Sequence, residues 1–121
     1  MKQILIVDDS RTVRDSLKFF LKEGGYDVLE GADGVEALEV LKTAKPQLII
    51  TDVNMPNMDG LTLLENVRQS PDHKFTPVLV LTTESQQSIM EKGKALGATG
   101  WIVKPFDSQK VLAVIKKVLG G

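Results

Sequence analysis

The stretch LIITDVNMPNMDG, residues 48–60, opens as an apolar strand and breaks off at a carboxylate, with Pro56 and the pair Asp59-Gly60 close behind. A short run that is apolar throughout, rather than alternating, is what a parallel strand needs when helices cover both faces. Its end at Asp52 raises the question of whether the chain's other apolar runs also end in chemistry.

Four comparable runs flank it: ILIV at 4–7, YDVLE at 26–30, VLVL at 78–81 and GWIV at 100–103, with QLII at 47–50 as the central one. Between them, apolar residues three or four apart predict helices. Residues 11–23 carry Val13, Leu17, Phe20 and Leu21 on one stripe, and Gly24-Gly25 stops it. Asp33 stands three residues before Glu36, as in a capping box, and Val35, Leu38 and Leu41 follow. Leu61, Leu64 and Val67 mark a third helix. Ile89, Met90 and Leu96 mark a fourth, capped by Ser85 and stopped by Gly97, and Val111, Val114, Ile115 and Val118 mark a fifth, opened by Asp107 or Ser108. Five strands alternating with five helices predict an α/β fold, a doubly wound five-stranded parallel sheet of (βα)5 type with right-handed crossovers.

Composition narrows the function classes. A chain of 121 residues is one domain long, so residues 1–121 are read as a single unit with no effector domain. Its 15 basic and 16 acidic residues nearly cancel and form no basic block, which argues against nucleic acid as a partner. Cysteine is absent, excluding thiolate metal sites, and no run approaches the ~20 apolar residues that span a bilayer. A cytoplasmic protein without membrane insertion is expected.

In open α/β sheets the ligand crevice lies beyond the carboxyl ends of the strands. The first run delivers Asp8-Asp9 there, the third Asp52, the fourth Thr82-Thr83 and the fifth Lys104-Pro105. Any one of these acids alone reads as a loop residue or helix cap. Together they make a cluster of like charges that repel unless cations sit among them. Lys104 supplies one charge, and the all-oxygen set Asp8, Asp9 and Asp52 suits Mg²⁺, with Mn²⁺ an acceptable substitute. An Asp beside a divalent ion, a Lys and a hydroxyl has the makings of a phosphoryl acceptor.

These residues, in this order, resemble the receiver domain of two-component response regulators over Ile4 to Leu119, and most closely the single-domain CheY-like chemotaxis type. DVNMPNMDG at 52–60 and GWIVKPF at 100–106 are the most specific segments. The strand order of the flavodoxin-like sheet, of which CheY is a standing example, comes from that resemblance and not from the periodicity.

The resemblance implies that Asp52 accepts a phosphoryl group from a sensor histidine kinase. Asp9, Asp52 and the backbone carbonyl of Asn54 would bind Mg²⁺ directly, with Asp8 helping through water. Asp8, Thr82 and Lys104 would serve the transfer, Thr82 bonding the phosphoryl oxygen and Lys104 pairing with it. Pro105 would follow a Lys-Pro bond that is often cis in the family. Thr82, Trp101 and Pro105 would form the switch, remodelling the face of fourth helix, fifth strand and fifth helix that meets a downstream target such as a flagellar motor switch protein. For Trp101 two readings stand, an inward rotamer switch and a cover over the sheet edge. Asn54 and Glu84 would tune hydrolysis of the acyl phosphate. The implied protein is a monomer and not an enzyme in the turnover sense, promoting its own phosphotransfer and dephosphorylation. A phosphatase is an optional further partner. Its output would be protein binding, since the chain ends at Gly120-Gly121.

Other functions on this fold class fit less well. A flavodoxin-type nucleotide site wants a Gly/Ser/Thr-rich loop where Asp8-Asp9 stand, and a haloacid-dehalogenase-type phosphatase wants an acid where Asn54 stands. A phosphorelay intermediate, a phosphate sink and a phosphorylation-independent interaction module share the same pocket and stay as alternatives. His73 reads as a solvated loop residue, Met55 and Met58 as packing beneath the loop after Asp52, and Lys116-Lys117 as favourable charge at a helix C-terminus.

Overall fold

A computed structural model describes residues 2–83 and 87–120. The elements run β1 Gln3–Val7, α1 Arg11–Glu23, β2 Asp27–Gly31, α2 Gly34–Leu41, β3 Leu48–Asp52, α3 Gly60–Gln69, β4 Val78–Thr82, α4 Gln87–Leu96, β5 Gly100–Val103 and α5 Ser108–Leu119. All strand pairs are parallel, in the order β2-β1-β3-β4-β5. This is the expected doubly wound sheet. The second strand lies one residue later than its apolar run suggested, because Gly31 pairs with Val7.

The continuous apolar runs are explained by two cores. Ile4, Ile6, Leu48, Ile50, Leu79 and Leu81 pack toward α1 and α5. Their strand neighbours Leu5, Val7, Ile49, Val78 and Val80 pack toward α2 and α3. Successive strand side chains point to opposite faces, so both must be apolar when helices cover both.

Caps place the helix starts. Ser10, Asp33, Asp59 and Asp107 each accept a backbone N–H from the first turn of their helix, and at α2 Glu36 Oε1 reaches back to Ala32 N, one residue before the cap, in a variant of the expected box. The cap expected at Ser85 lies outside the described residues. Gly25 and Gly97, just past α1 and α4, have positive φ, 93° and 97°, as chain-reversing glycines do.

Two expectations are corrected. Val35 is exposed; α2 buries Leu41, as expected, but with Gly34 and Ala37 in place of Val35. His73 is not solvated: it is only 5% exposed, and its Nε2 lies 2.9 Å from the carbonyl of Leu41. A carbonyl only accepts, so Nε2 carries the proton, and the ring satisfies a carbonyl that the last turn of α2 leaves unpaired. Met55 and Met58 are half-buried against the α2–α3 core, as expected. No helix among the described residues is long and apolar enough to cross a membrane.

Candidate functional site

Parallel pairing brings the strand ends to one edge. Asp8 follows Val7, which pairs with both Gly31 and Thr51; Asp52 pairs with Leu81, and Thr82 with Val103. Backbone bonds carry the alignment past the strands, from Asp8 N to Gly31 O, Val53 N to Leu81 O and Lys104 N to Thr82 O, the last at 2.7 Å.

On that edge one carboxylate oxygen from each of Asp8, Asp9 and Asp52 lies within 4.8 Å of the other two. Asp8 is fully buried and Asp52 is 7% exposed, while Asp9 is open to solvent. Lys104 Nζ bridges the buried pair, 2.9 Å from Asp8 Oδ2 and 3.3 Å from Asp52 Oδ2. Asp8 Oδ1 accepts from Ser10 N at 2.9 Å, and Asp52 Oδ1 from Val53 N at 2.8 Å. Thr82 is buried at the end of β4, and the Lys104-Pro105 peptide bond is cis.

Electrostatics follow from this packing. Burial, then the neighbouring Asp8 charge, raises the Asp52 carboxyl above its ordinary range, with Lys104 opposing. Burial acts to lower the Lys104 ammonium, but hydrogen bonding and attraction to Asp8, and then Asp52, leave it raised. The pocket is therefore crowded with negative charge that Lys104 only partly offsets.

The donor set fits a small hard cation. Mg²⁺ holds oxygens at about 2.1 Å, so ligands on opposite sides of one ion stand about 4 Å apart, close to the spread seen here. Among the described residues, Asp8, Asp9 and Asp52 are the group that meets this test.

The response regulator receiver domain model matches residues 4–116. The chain belongs to the response regulator receiver family. The receiver is 44% identical to the chemotaxis response regulator CheY4 of Vibrio cholerae, with a TM-score of 0.93 and 98% of both chains covered. It is 37% identical over 118 residues to the alkaline phosphatase synthesis transcriptional regulatory protein PhoP of Bacillus subtilis, and 39% identical over 117 residues to the response regulator MprA of Mycobacterium ulcerans. These alignments take 98% and 97% of this chain, which spans about half the length of those curated relatives, 48% and 50%. Receiver domains take up Mg²⁺ at an acidic pocket of this kind, and they interact with histidine kinases and downstream effectors.

The other sequence-read residues of the receiver are distributed as follows. Asn54 is exposed at the start of the loop leaving β3. Trp101 is half-buried on β5 and packs against α4, where a Cβ built on Gly93 would overlap the indole Cη2 and lie 3.1 Å from Cζ2 and Cζ3. The ring thus lies between sheet edge and helix. Glu84 lies outside the described residues.

Sequence reasoning missed two side-chain links between elements. Arg14 Nη1 donates to the carbonyl of Asp8 at 2.6 Å, and its Nε meets Glu30 Oε1 at 3.3 Å. Glu30 is held in turn by Lys18 at 2.7 Å, which with Arg14 keeps its carboxyl below the ordinary range against the effect of burial. The other link is Asn57, whose Nδ2 donates to Asp33 Oδ2 at 2.6 Å. No periodicity signals either, since both pairs join different elements.

Proposed function

We propose that Asp52 is the phosphoryl acceptor of a phosphorylation-activated response regulator. The observation that carries this reading is the clustering of Asp8, Asp9 and Asp52 around Lys104 at the strand ends. A carboxylate oxygen of Asp52 attacks the phosphorus of a kinase phosphohistidine. The P–O bond forms as the P–N bond breaks, and the imidazole nitrogen leaves with the electron pair and takes up a proton. Asp9, Asp52 and the Asn54 carbonyl, with Asp8 through water, would hold Mg²⁺, which would supply positive charge to the phosphoryl oxygens. Lys104 passes from its Asp8–Asp52 bridge to the new phosphoryl group, and the Thr82 hydroxyl donates to one of its oxygens. Asn54 and Glu84 tune hydrolysis of the acyl phosphate. The chain acts as a cytoplasmic signalling acceptor and not as a turnover enzyme.

Chemotaxis is the output we favour, supported by the likeness to CheY4 over essentially the whole of both chains. The target, a protein such as a flagellar motor switch component, meets the face of α4, β5 and α5. A hollow of about 450 Å³ lined by Trp101, Val103, Pro105, Lys110 and Val114, among others, supports a docking role for β5 and α5. The likeness to PhoP and MprA supports a second reading, a receiver that controls transcription.

Intact-mass spectrometry after incubation with acetyl phosphate tests the chemistry. A phosphoryl adduct that needs Mg²⁺ and disappears in Asp52→Asn is expected. An adduct that survives in Asp52→Asn, or none in the wild type, overturns the assignment.

A further inference from the structure

Asn57 has φ of 67°, the one positive value outside glycine among the described residues. Asparagine tolerates this left-handed region better than most residues, but a side chain held there calls for something that holds it. Two contacts do so. Asn57 Nδ2 donates to Asp33 Oδ2 at 2.6 Å, and the next carbonyl along, Met58 O, accepts from Gly34 N at 3.2 Å. The Met58 side chain then lies directly on Gly34, where a Cβ would stand 2.6–2.8 Å from its Cγ, Cβ and Sδ. Any larger residue at position 34 would push the loop away.

Asp33 is itself fixed. Its other oxygen, Oδ1, accepts from Glu36 N at 2.9 Å as the cap of α2, and the residue is 7% exposed. One carboxylate oxygen ends the helix while the other grips the loop.

That loop is the segment that leaves Asp52. Its near end is tied through Val53, whose N donates to Leu81 O of β4 at 3.2 Å and whose O accepts from Gly60 N at the start of α3 at 2.9 Å. Asn54, Pro56 and Asn57 then swing out into solvent. Exposed backbone of this kind is the low-stability part of a fold unless something anchors its far side.

We infer that Asp33 and Asn57 are positioning residues for the acidic pocket. By clasping the loop to the N-terminus of α2 they fix the backbone around Asn54, and so set how tightly the pocket holds a divalent cation. This rests on the metal reading of Asp8, Asp9 and Asp52 given above.

The test exchanges the partners of one hydrogen bond. Asn57→Asp sets two carboxylates face to face, whereas Asp33→Asn keeps an oxygen for the cap and presents an NH₂ that Asn57 still meets by turning its own amide over. Asn57→Asp is expected to raise amide exchange at residues 54, 55, 57 and 58 in metal-free protein and to weaken Mn²⁺ binding, followed by water-proton relaxation, by about 10-fold, the low end of what losing a ligand's supporting partner costs, while Asp33→Asn alone stays near wild type. The double variant Asp33→Asn/Asn57→Asp restores the bond with donor and acceptor reversed. It is expected to recover both readouts toward wild type, which two independent structural losses would not do. An Asn57→Asp protein that binds Mn²⁺ as tightly as wild type, or a double variant no better than Asn57→Asp, overturns the clasp alone. Wild-type protein that binds no Mn²⁺ overturns the metal reading itself, and the clasp with it.

Discussion

Replacing Gly93 by alanine sets two effects of opposite sign against each other. Inside an exposed helix, Gly→Ala stabilises by about 1 kcal/mol, because the unfolded chain loses freedom that glycine alone enjoys. Here the added Cβ would overlap the Trp101 indole and lie 3.1 Å from two more ring carbons. The backbone of α4 is held by its own hydrogen bonds, so the ring is what moves. A Trp buries about 200 Å². Losing half of that at ~25 cal/mol per Å² costs about 2.5 kcal/mol, as an upper bound. The collision wins, and Gly93→Ala should destabilise by about 1.5 kcal/mol, lowering the melting temperature by roughly 6 °C for a domain of this size. Urea unfolding followed by circular dichroism reads the stability. Emission from Trp101, the single Trp of the chain, reads the ring independently and should shift to the red. In a Trp101→Ala background the same substitution should reverse sign and stabilise by about 1 kcal/mol. A Gly93→Ala protein that is more stable than wild type, with unchanged emission, would refute the packing argument.

Asp52→Asn should stabilise the metal-free protein at neutral pH. The Asp52 carboxyl is raised above its ordinary 3.8, so the folded state binds that proton more tightly than the unfolded chain. The contribution is complete below the unfolded value and is lost as pH rises through the folded one, so the gap between variant and wild type should close toward acid pH in urea titrations. A gap independent of pH would sink the assignment of the shift. Arg68→Ala removes donors to the carbonyls of Gly97, Thr76 and Lys74, and should cost about 2 kcal/mol by the same assay; a loss below about 0.5 kcal/mol would show these bonds to be replaced by water. His73→Ala deletes a buried ring and its bond to Leu41, with an expected cost of about 2 kcal/mol in thermal unfolding, where a solvated loop histidine would give under about 0.5.

Much of the pocket was legible because the sequence signal and the geometry share one cause. Strands buried on both faces must be apolar throughout, so the first polar residue after each run falls on the edge of the sheet, and Asp8, Asp52, Thr82 and Lys104 were readable as neighbours although 96 residues separate Asp8 from Lys104. What was not legible depends on contacts between elements. His73 lies in a polar segment, and only the Leu41 carbonyl, 32 residues earlier, makes its burial favourable. The phase of α2 could not be fixed because apolar residues fall on more than one side of so short a helix, so Val35 was taken for the buried face that belongs to Ala37. Asp33 was recognised as a cap, but its second oxygen had no local partner to betray the grip on Asn57.

The short edge strand β5 has one hydrogen-bonded neighbour, β4, and so less backbone to restrain it than the strands within the sheet. Its consecutive residues nonetheless serve different compartments. Trp101 belongs to the core beneath α2, α3 and α4, while Ile102 belongs to the core shared with α1 and α5. Just beyond them Phe106 meets Phe20 of α1 edge to face, with ring centroids 5.9 Å apart. The strand works as a party wall. A shift of the strand backbone itself moves Trp101 and Ile102 together, so displacing β5 is felt in both compartments at once.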